Sequence, residues 1–296
     1  MSERKVCLIC CGEQFIPAFN CTDHLVSRRE FRIDRCSSCG FLVTDNAPGP
    51  DVISSYYDSP DYISHTGSGK SLTDVLYSIA RKLMLTSKSG YIRRLSGLRV
   101  GSILDIGAGT GHFVKKMKSY GWQSSGVEIN ESARNYALSY NGVELLSSLE
   151  DLSHSNNTFD AVTLWHVLEH LHDPAATLRQ ISSILKPQGS LVIALPNPAS
   201  ADAEHYKEKW AAFDVPRHLW HFQPENVTSL VSMFGFTHVG TRRMPFDSFY
   251  ISILSEKQNN SRFALLKGLT WGKLSWLRSL LNREKSSSLI YAFRKK

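Results

Sequence analysis

No run of eighteen apolar residues occurs in the 296-residue chain, so no transmembrane helix is expected. The opening residues, MSERKVCLICC, lack the apolar core of a signal peptide, and a reducing cytoplasm is the expected setting. In that setting, Cys pairs at close spacing read as metal ligands rather than as disulfides. A surplus of one charge sign is also missing from most of the chain. The net charge is +7, but residues 256–296 hold ten Lys/Arg against Glu256 and Glu284, and everything before them sums to −1. A neutral body with a basic tail implies no nucleic-acid groove running through the protein. The 42% hydrophobic content fits one sizeable α/β domain with a small appendage.

The most informative stretch is Ile103-Leu104-Asp105-Ile106-Gly107-Ala108-Gly109-Thr110-Gly111-His112-Phe113. An apolar run ends in Asp105, breaks into a glycine-rich turn, and continues as a helical pattern through Phe113, Val114 and Met117. This predicts a buried parallel strand, a tight turn and a helix whose free N–H groups face a ligand. A dinucleotide turn needs G-x-G-x-x-G, and here His112 stands in the third required place. A second strand, from Trp122 to Val127, ends at Glu128, where a carboxylate can accept hydrogen bonds from a ribose diol. Further strands are expected at Val143–Leu146, Phe159–Leu164, Leu191–Ala194 and Leu289–Phe293. Asp173-Pro174 marks a helix start, an N-cap followed by a first-turn proline.

The G-x-G-x-G turn with its preceding Asp105 resembles motif I of the class I S-adenosylmethionine-dependent methyltransferases. The strings FDAVTLWHVLEHLHDP and ILKPQGSLVIALPN resemble later regions of that family, so the likeness extends over roughly residues 95–245. It implies a Rossmann-like, doubly wound α/β fold with a seven-stranded sheet. It also implies S-adenosylmethionine as cofactor, held by Asp105, Gly107, Ala108, Gly109, Thr110, Gly111, Glu128, Ile129, Ser148, Leu149, Trp165 and His166. Within the family the chain is similar to the quinone O-methyltransferase and small-molecule group. The implied function is methyl transfer, by O-methylation in preference to N-methylation, to a small-molecule, glycan or lipid-linked acceptor. Two alternatives stand beside it: an RNA methyltransferase, and a noncatalytic zinc- and ligand-binding protein of the same fold. Against the first, the fourth strand lacks the Asn/Asp-Pro-Pro-Tyr/Phe string common among enzymes that methylate base amines.

At the N-terminus, Cys7-x2-Cys10 and Cys36-x2-Cys39 are paired knuckles with the spacing of a four-cysteine structural zinc site. A zinc-ribbon-like module over 1–45 follows, since so short a segment has too little core to fold without a staple. Cys7-x3-Cys11 competes for the first knuckle, with Cys10 preferred and Cys11 left as a spare thiol. Some methyltransferases of sugar and secondary-metabolite pathways have a similar cysteine-rich start.

Candidate acceptor-side residues fall in three places. Residues 46–100 are expected to form a helical lid or linker, with Tyr57, Tyr62 and His65 as acceptor-facing candidates. His166-x-x-Glu169-His170 follows the fourth strand; similar quinone O-methyltransferases carry E-x-x-E-H there and can hold a divalent cation. The segment Asp214-Val215-Pro216-Arg217-His218-Leu219-Trp220-His221-Phe222 concentrates Arg217, His218 and His221. The sulfonium is already activated, so positioning carries most of the rate, and only an acceptor of high pKa needs a base. His166 or His218 is expected to take that proton, with His221 and Arg217 as further catalytic candidates.

The methyltransferase domain is expected over 101–245 and 288–296, closed by the strand at Leu289–Phe293. Residues 246–287 form an insertion with a basic amphipathic helix pattern interrupted by Gly268 and Gly272. That insertion either caps the domain or anchors the protein to an anionic membrane surface, at the inner face, with nucleic acid the less favoured partner.

Overall fold

In the computed structural model, residues 6–57, 72–152 and 155–296 are described, with side chains given from residue 81 onward in the helix that begins at 72. Two sheets organise them. The first is β1 (Phe15–Thr22), β2 (Glu30–Cys36) and β3 (Leu42–Thr44), antiparallel, with a single-turn helix α1 (Pro50–Ile53) following. Helix α2 (Leu72–Ser96) then leads into β4 (Ser102–Ile106), α3 (His112–Ser119), β5 (Gln123–Val127) and α4 (Glu131–Tyr136).

The rest of the domain comprises β6 (Phe159–Trp165), α5 (Pro174–Ile184), β7 (Leu185–Pro196), α6 (Ala201–Tyr206), β8 (Trp220–His221), α7 (Pro224–Ser232) and β9 (Phe236–Arg243). A helical hairpin of α8 (Asp247–Gln258) and α9 (Ala264–Leu281) separates β9 from the last strand, β10 (Ser288–Lys295).

The large sheet has the order β5-β4-β6-β7-β10-β9, with β4, β5, β6 and β7 parallel and β10 antiparallel to both neighbours. Every residue of β4 is buried, as a central strand covered on both faces requires. The start of α5 is as the sequence predicts: Asp173 accepts from the Ala176 N–H and Pro174 occupies the first turn. Six strands form this sheet, not the seven expected. The segment Val143–Leu146 reaches β5 only through one bridge, Val127 to Leu146, with its two backbone bonds at 2.9 Å. Val143 and Leu145 are spent on packing against Val114 and Ala137 rather than on extending a ladder.

The small sheet is completed from a distant part of the chain. β8 pairs with β3, Leu42 against His221 and Val43 against Trp220. Cys7, Cys36, Phe41 and Val43 lie in the same hydrophobic cluster as Leu104, Val162, Leu191 and Phe222. The N-terminal module therefore shares its core with the large domain.

Gly268 and Gly272 do not interrupt a helix. A Cβ on Gly268 would lie 2.5 Å from the Ile253 Cα, and one on Gly272 would lie 2.6 Å from the Phe249 Cα. The two glycines let α9 cross α8 backbone to backbone.

Candidate functional site

The carboxyl ends of β5, β4 and β6 lie side by side, where doubly wound sheets bind ligands. The corner after β4 turns through Gly107, Gly109 and Gly111, with φ of +69°, +52° and +75°. At Gly107 a Cβ would strike Val167 at 2.4 Å, whereas at Gly109 it would meet no atom within 4 Å. The first glycine is demanded by packing, and the second opens onto space that a ligand can use. Ala108 and Gly107 both donate to the Val127 carbonyl, tying the corner to the tip of β5. Asn141 donates to the Thr110 carbonyl and steadies the far side of the turn.

Glu128 stands at that tip. Its carboxylate accepts from the Gly109 N–H at 2.8 Å and the Asn130 N–H at 2.9 Å, one bond to each oxygen. Each oxygen keeps a lone pair for a further donor. Ile129, next in the chain, is 84% exposed, an apolar side chain left uncovered beside the cradle. Ser148 and Leu149 lie in the following loop, where the Ser148 N–H is held by Asp151 and the Leu149 carbonyl by Gln180. Asp105 is buried under the corner and accepts from the Thr163 hydroxyl at 2.6 Å. Burial pushes its carboxyl up to about 7 against the pull of Thr163 and Lys88.

Past the tip of β6 the chain turns sharply, with His166 at φ +58°. The indole N–H of Trp165 is buried without a partner, a donor still to be satisfied. Lys88, from α2, sits 4.2 Å over that indole ring. Burial strips Lys88 of water and lowers it to about 8, despite the carboxylates of Asp105 and Asp247 nearby. His166 lies between two carboxylates, Glu169 at 3.6 Å from Nδ1 and Asp247 at 3.5 Å from Nε2. Burial alone would lower its pKa, but the Asp247 and Glu169 carboxylates win and raise it to about 9. A ring already protonated at neutral pH cannot take a proton from an acceptor, so His166 is an anchoring cation here.

Glu169 is buried, and neither carboxylate oxygen has a hydrogen-bond partner. One ligand atom each from Glu169, His170 and His218 lie within 4.8 Å of one another. Each ring is held at Nδ1 by a backbone carbonyl, and His218 Nε2 lies 3.9 Å from the Asp214 carboxylate. His218 Nδ1 bonds the Ala212 carbonyl at 2.9 Å, and His170 Nδ1 bonds the Arg217 carbonyl at 3.1 Å. A carbonyl only accepts, so both Nδ1 atoms carry a proton. Burial and the neighbouring His218 lower His170 to about 4, which keeps that ring neutral. Glu169 and His218 line a cleft with Pro196, Trp210, Trp220 and Phe222. Tyr57 reaches His170 Nδ1 at 3.0 Å from the other side. Tyr62 and His65 lie outside the described residues.

The other candidates of the Asp214–Phe222 segment are held by structural partners, although His221 also lines the cleft with Glu169 and His218. Arg217 is 1% exposed, with Nε on both Asp214 oxygens, Nη1 on the Tyr56 carbonyl and Nη2 on Asp23 at 3.0 Å. His221 is buried, bonds Thr44 at 3.0 Å, and is held down to about 3 by burial and by His218. These two residues bolt the N-terminal module to the large domain. Lys88 and Asp247 belong to the site although neither stands in a recognisable motif. Asp247 opens a helix far downstream and Lys88 sits in a long helix of mixed polarity, so only the fold brings them here.

At the opposite end, Cys7, Cys10, Cys36 and Cys39 gather with their sulfurs within 4.8 Å. The Cys7–Cys39 and Cys10–Cys36 sulfurs are each 3.6 Å apart, near the roughly 3.8 Å edge of a tetrahedron with 2.3 Å zinc–sulfur bonds. Burial opposes ionisation of Cys36, but the N–H groups of Cys39 and Ser38 bring it down to about 7. Cys11 is exposed and outside the cluster. The four sulfurs fit a closed zinc shell.

A family model described as a methyltransferase domain matches residues 80–240, more than half of the chain. The chain belongs to this methyltransferase-domain family. The match takes in the glycine corner, Glu128, the His166–His170 turn and the Asp214–Phe222 segment, and leaves out the cysteine module and the hairpin. The ubiquinone biosynthesis O-methyltransferase of Aeromonas salmonicida (strain A449) is 35% identical over 121 residues, covering 38% of this chain and 48% of its own. That of Xanthomonas oryzae pv. oryzae (strain PXO99A) is 32% identical over 139 residues, covering 44% and 56%. The chain thus spans about half the length of the curated relatives it matches. Among solved structures, a Galdieria sulphuraria protein assigned as a sarcosine dimethylglycine methyltransferase aligns with TM-score 0.51 and 16% identity. It covers 75% of this chain and 88% of its own, which shows a shared fold.

Proposed function

We infer that the protein transfers a methyl group from S-adenosylmethionine to a hydroxyl of a small-molecule, glycan or lipid-linked acceptor. The observation that carries this reading is the open space at Gly109 beside the Glu128 carboxylate, at the shared tip of β4 and β5. A ribose diol there meets two carboxylate oxygens with lone pairs to spare, and Ile129 offers an apolar cover for a base. The donor carries a sulfonium and no phosphate, so a corner with His112 in place of the third dinucleotide-type glycine suits it. When bound, it supplies an activated methyl on a sulfonium.

The chain's own residues then have separate tasks. Gly107 and Gly111 shape the corner, Glu128 orients the sugar, and Lys88 lies over the Trp165 ring, whose buried N–H has no partner. His166 fixes the turn after β6 by bridging Glu169 and Asp247. His218, which lines the cleft, is the residue placed to take the acceptor's proton, a contribution of roughly 10²–10⁴ in rate. The experiment is transfer of tritiated methyl from S-adenosylmethionine to a cell extract split into lipid, glycan, small-molecule and RNA pools. Label in the first three supports the reading, and label confined to RNA overturns it.

A second reading of the acceptor chemistry is favoured by the Glu169 carboxylate, which lies 3.6 Å from His166 and has no hydrogen-bond partner. Glu169, His170 and His218 are the residues that would hold a divalent cation, which lowers the pKa of a hydroxyl bound to it. Paramagnetic broadening by Mn²⁺, lost in Glu169→Gln, would support it; equal Mn²⁺ binding by that variant would refute it. For the cysteine cluster, the proposal is a structural zinc.

A further inference from the structure

The α8–α9 hairpin is built inside out for a helix pair in water. Its inner seam uses glycine and serine: Gly268 lies against the Ile253 backbone and Gly272 against the backbone of Ser248 and Phe249, and Ser275 and Ser279 of α9 and Ser248, Ser252 and Ser255 of α8 are buried. Ile251, Leu254 and Trp271 pack inward, but most of the leucines of α9 point the other way. Leu265, Leu266, Leu269, Leu277, Leu280 and Leu281 are 41–93% exposed, and no described residue covers them. Of the 22 large hydrophobics exposed among the described residues, ten fall within residues 246–281. A soluble surface helix turns its apolar stripe toward the core. Close packing on glycine and serine with leucines outward is the arrangement of helices whose surroundings are lipid.

Charge selects the kind of surface. Residues 257–283 contain six Lys/Arg and no Asp or Glu. Lys257, Arg262, Lys267, Lys273, Arg278 and Arg283 are all exposed. Lys267, Lys273 and Arg278 are interspersed along the leucine-bearing helix, where long stems can carry their charges to headgroup level. No described helix is long and apolar enough to cross a membrane, so the geometry is that of a hairpin lying in the plane of the surface.

The hairpin is also fastened to the rest of the molecule, so a docked hairpin would carry the domain with it. Ser255 accepts from the Ala211 N–H, Tyr206 donates to Glu256, and Ser275 donates to Asp202. We propose that the outer face of α8–α9 is a monotopic docking surface for an anionic lipid bilayer.

The test uses the full chain and vesicles of phosphatidylcholine alone or mixed with an equal part of phosphatidylglycerol. The protein is expected to sediment with the anionic vesicles and to stay in solution with the neutral ones, with release at high salt. Lys267→Glu and Lys273→Glu should each weaken partitioning at least about fivefold, the effect of one charge near such a surface. Leu265→Asp with Leu269→Asp should weaken it by more than about tenfold per side chain. Both leucines are exposed, so the fold and the affinity for S-adenosylhomocysteine should not change. A readout independent of those variants is quenching of tryptophan emission by brominated phosphatidylglycerol, reduced in Trp276→Phe. Failure to sediment with anionic vesicles overturns the proposal. So does a dimer in sedimentation velocity that the leucine substitutions dissociate while vesicle binding stays absent, because the face would then belong to a second copy.

Discussion

Arg217 is the residue whose sequence context and structural setting diverge most, and its replacement separates the two sharply. The guanidinium is 1% exposed and holds two carboxylates, Asp214 at 2.7 Å and Asp23 at 3.0 Å, together with the Tyr56 carbonyl at 3.0 Å. Asp23 is itself fully buried and caps its own turn through the N–H groups of Leu25, Val26 and Ser27. Arg217→Ala therefore strands two carboxylates, of which Asp23 is sealed from water and Asp214 is only partly exposed. Breaking a buried ion pair by removing one partner costs about 3–5 kcal/mol, against a total stability of roughly 5–15 kcal/mol for a protein domain. Arg217→Lys should recover only part of this, since an ammonium cannot span Asp214, Asp23 and Tyr56 with the fixed fork of a guanidinium. Adding Asp214→Asn to Arg217→Ala should restore stability relative to the single variant, because one of the stranded charges is gone. The assay is urea unfolding of all four proteins, with S-adenosylhomocysteine calorimetry on those that fold. Wild-type stability in Arg217→Ala, combined with lost turnover on the true acceptor, would refute the assignment of Arg217 as a bolt.

Zinc should be found at one per chain, and Cys36→Ser should lose it while Cys11→Ser retains it. Since Cys7 and Cys36 share a cluster with the large domain's core, chelation should lower the melting temperature of the whole chain and not only of residues 1–45. Stability should fall on both sides of neutrality. His221, held at about 3 by burial, stabilises above the unfolded value of 6.5, and that contribution is lost as pH falls toward 3. His166, raised to about 9, stabilises fully below 6.5, and its contribution is lost as pH rises through 9. Each limb should slope by roughly 1.4 kcal/mol per pH unit per group. Urea midpoints from pH 5 to 10 should show the alkaline limb flattened in His166→Gln; an unchanged alkaline limb would remove the bridge to Glu169 and Asp247 from the account.

The glycine corner, Glu128 and the strand–turn–helix around them could be read from the chain because each depends on neighbours within about twenty residues. Asp105 through Gly111 is a local grammar, and so are Asp173-Pro174 and the cysteine knuckles. What could not be read rests on pairing across long separations. Nothing near Trp220-His221 announces that this dipeptide is the fourth strand of a sheet begun at Phe15. Arg217 and His221 look like site residues in isolation and become braces only when Asp23 and Thr44 arrive. Gly268 and Gly272 look like flaws in a helix until α8 is laid against them. The missing seventh strand has a similar cause, since Val143 and Leu145 satisfy a strand pattern while their side chains pack on Val114 and Ala137. Lys88 and Asp247 carry no local signal at all.

The account stands on a nucleoside lodged at the glycine corner with its ribose on Glu128, and calorimetry with S-adenosylhomocysteine measures that directly. The wild-type chain should bind one equivalent, and Glu128→Ala should weaken binding by about 1.5–3 kcal/mol, roughly ten- to 150-fold, as for a hydrogen bond to a charged group. No heat with the wild-type protein, or equal affinity in the two, would contradict it.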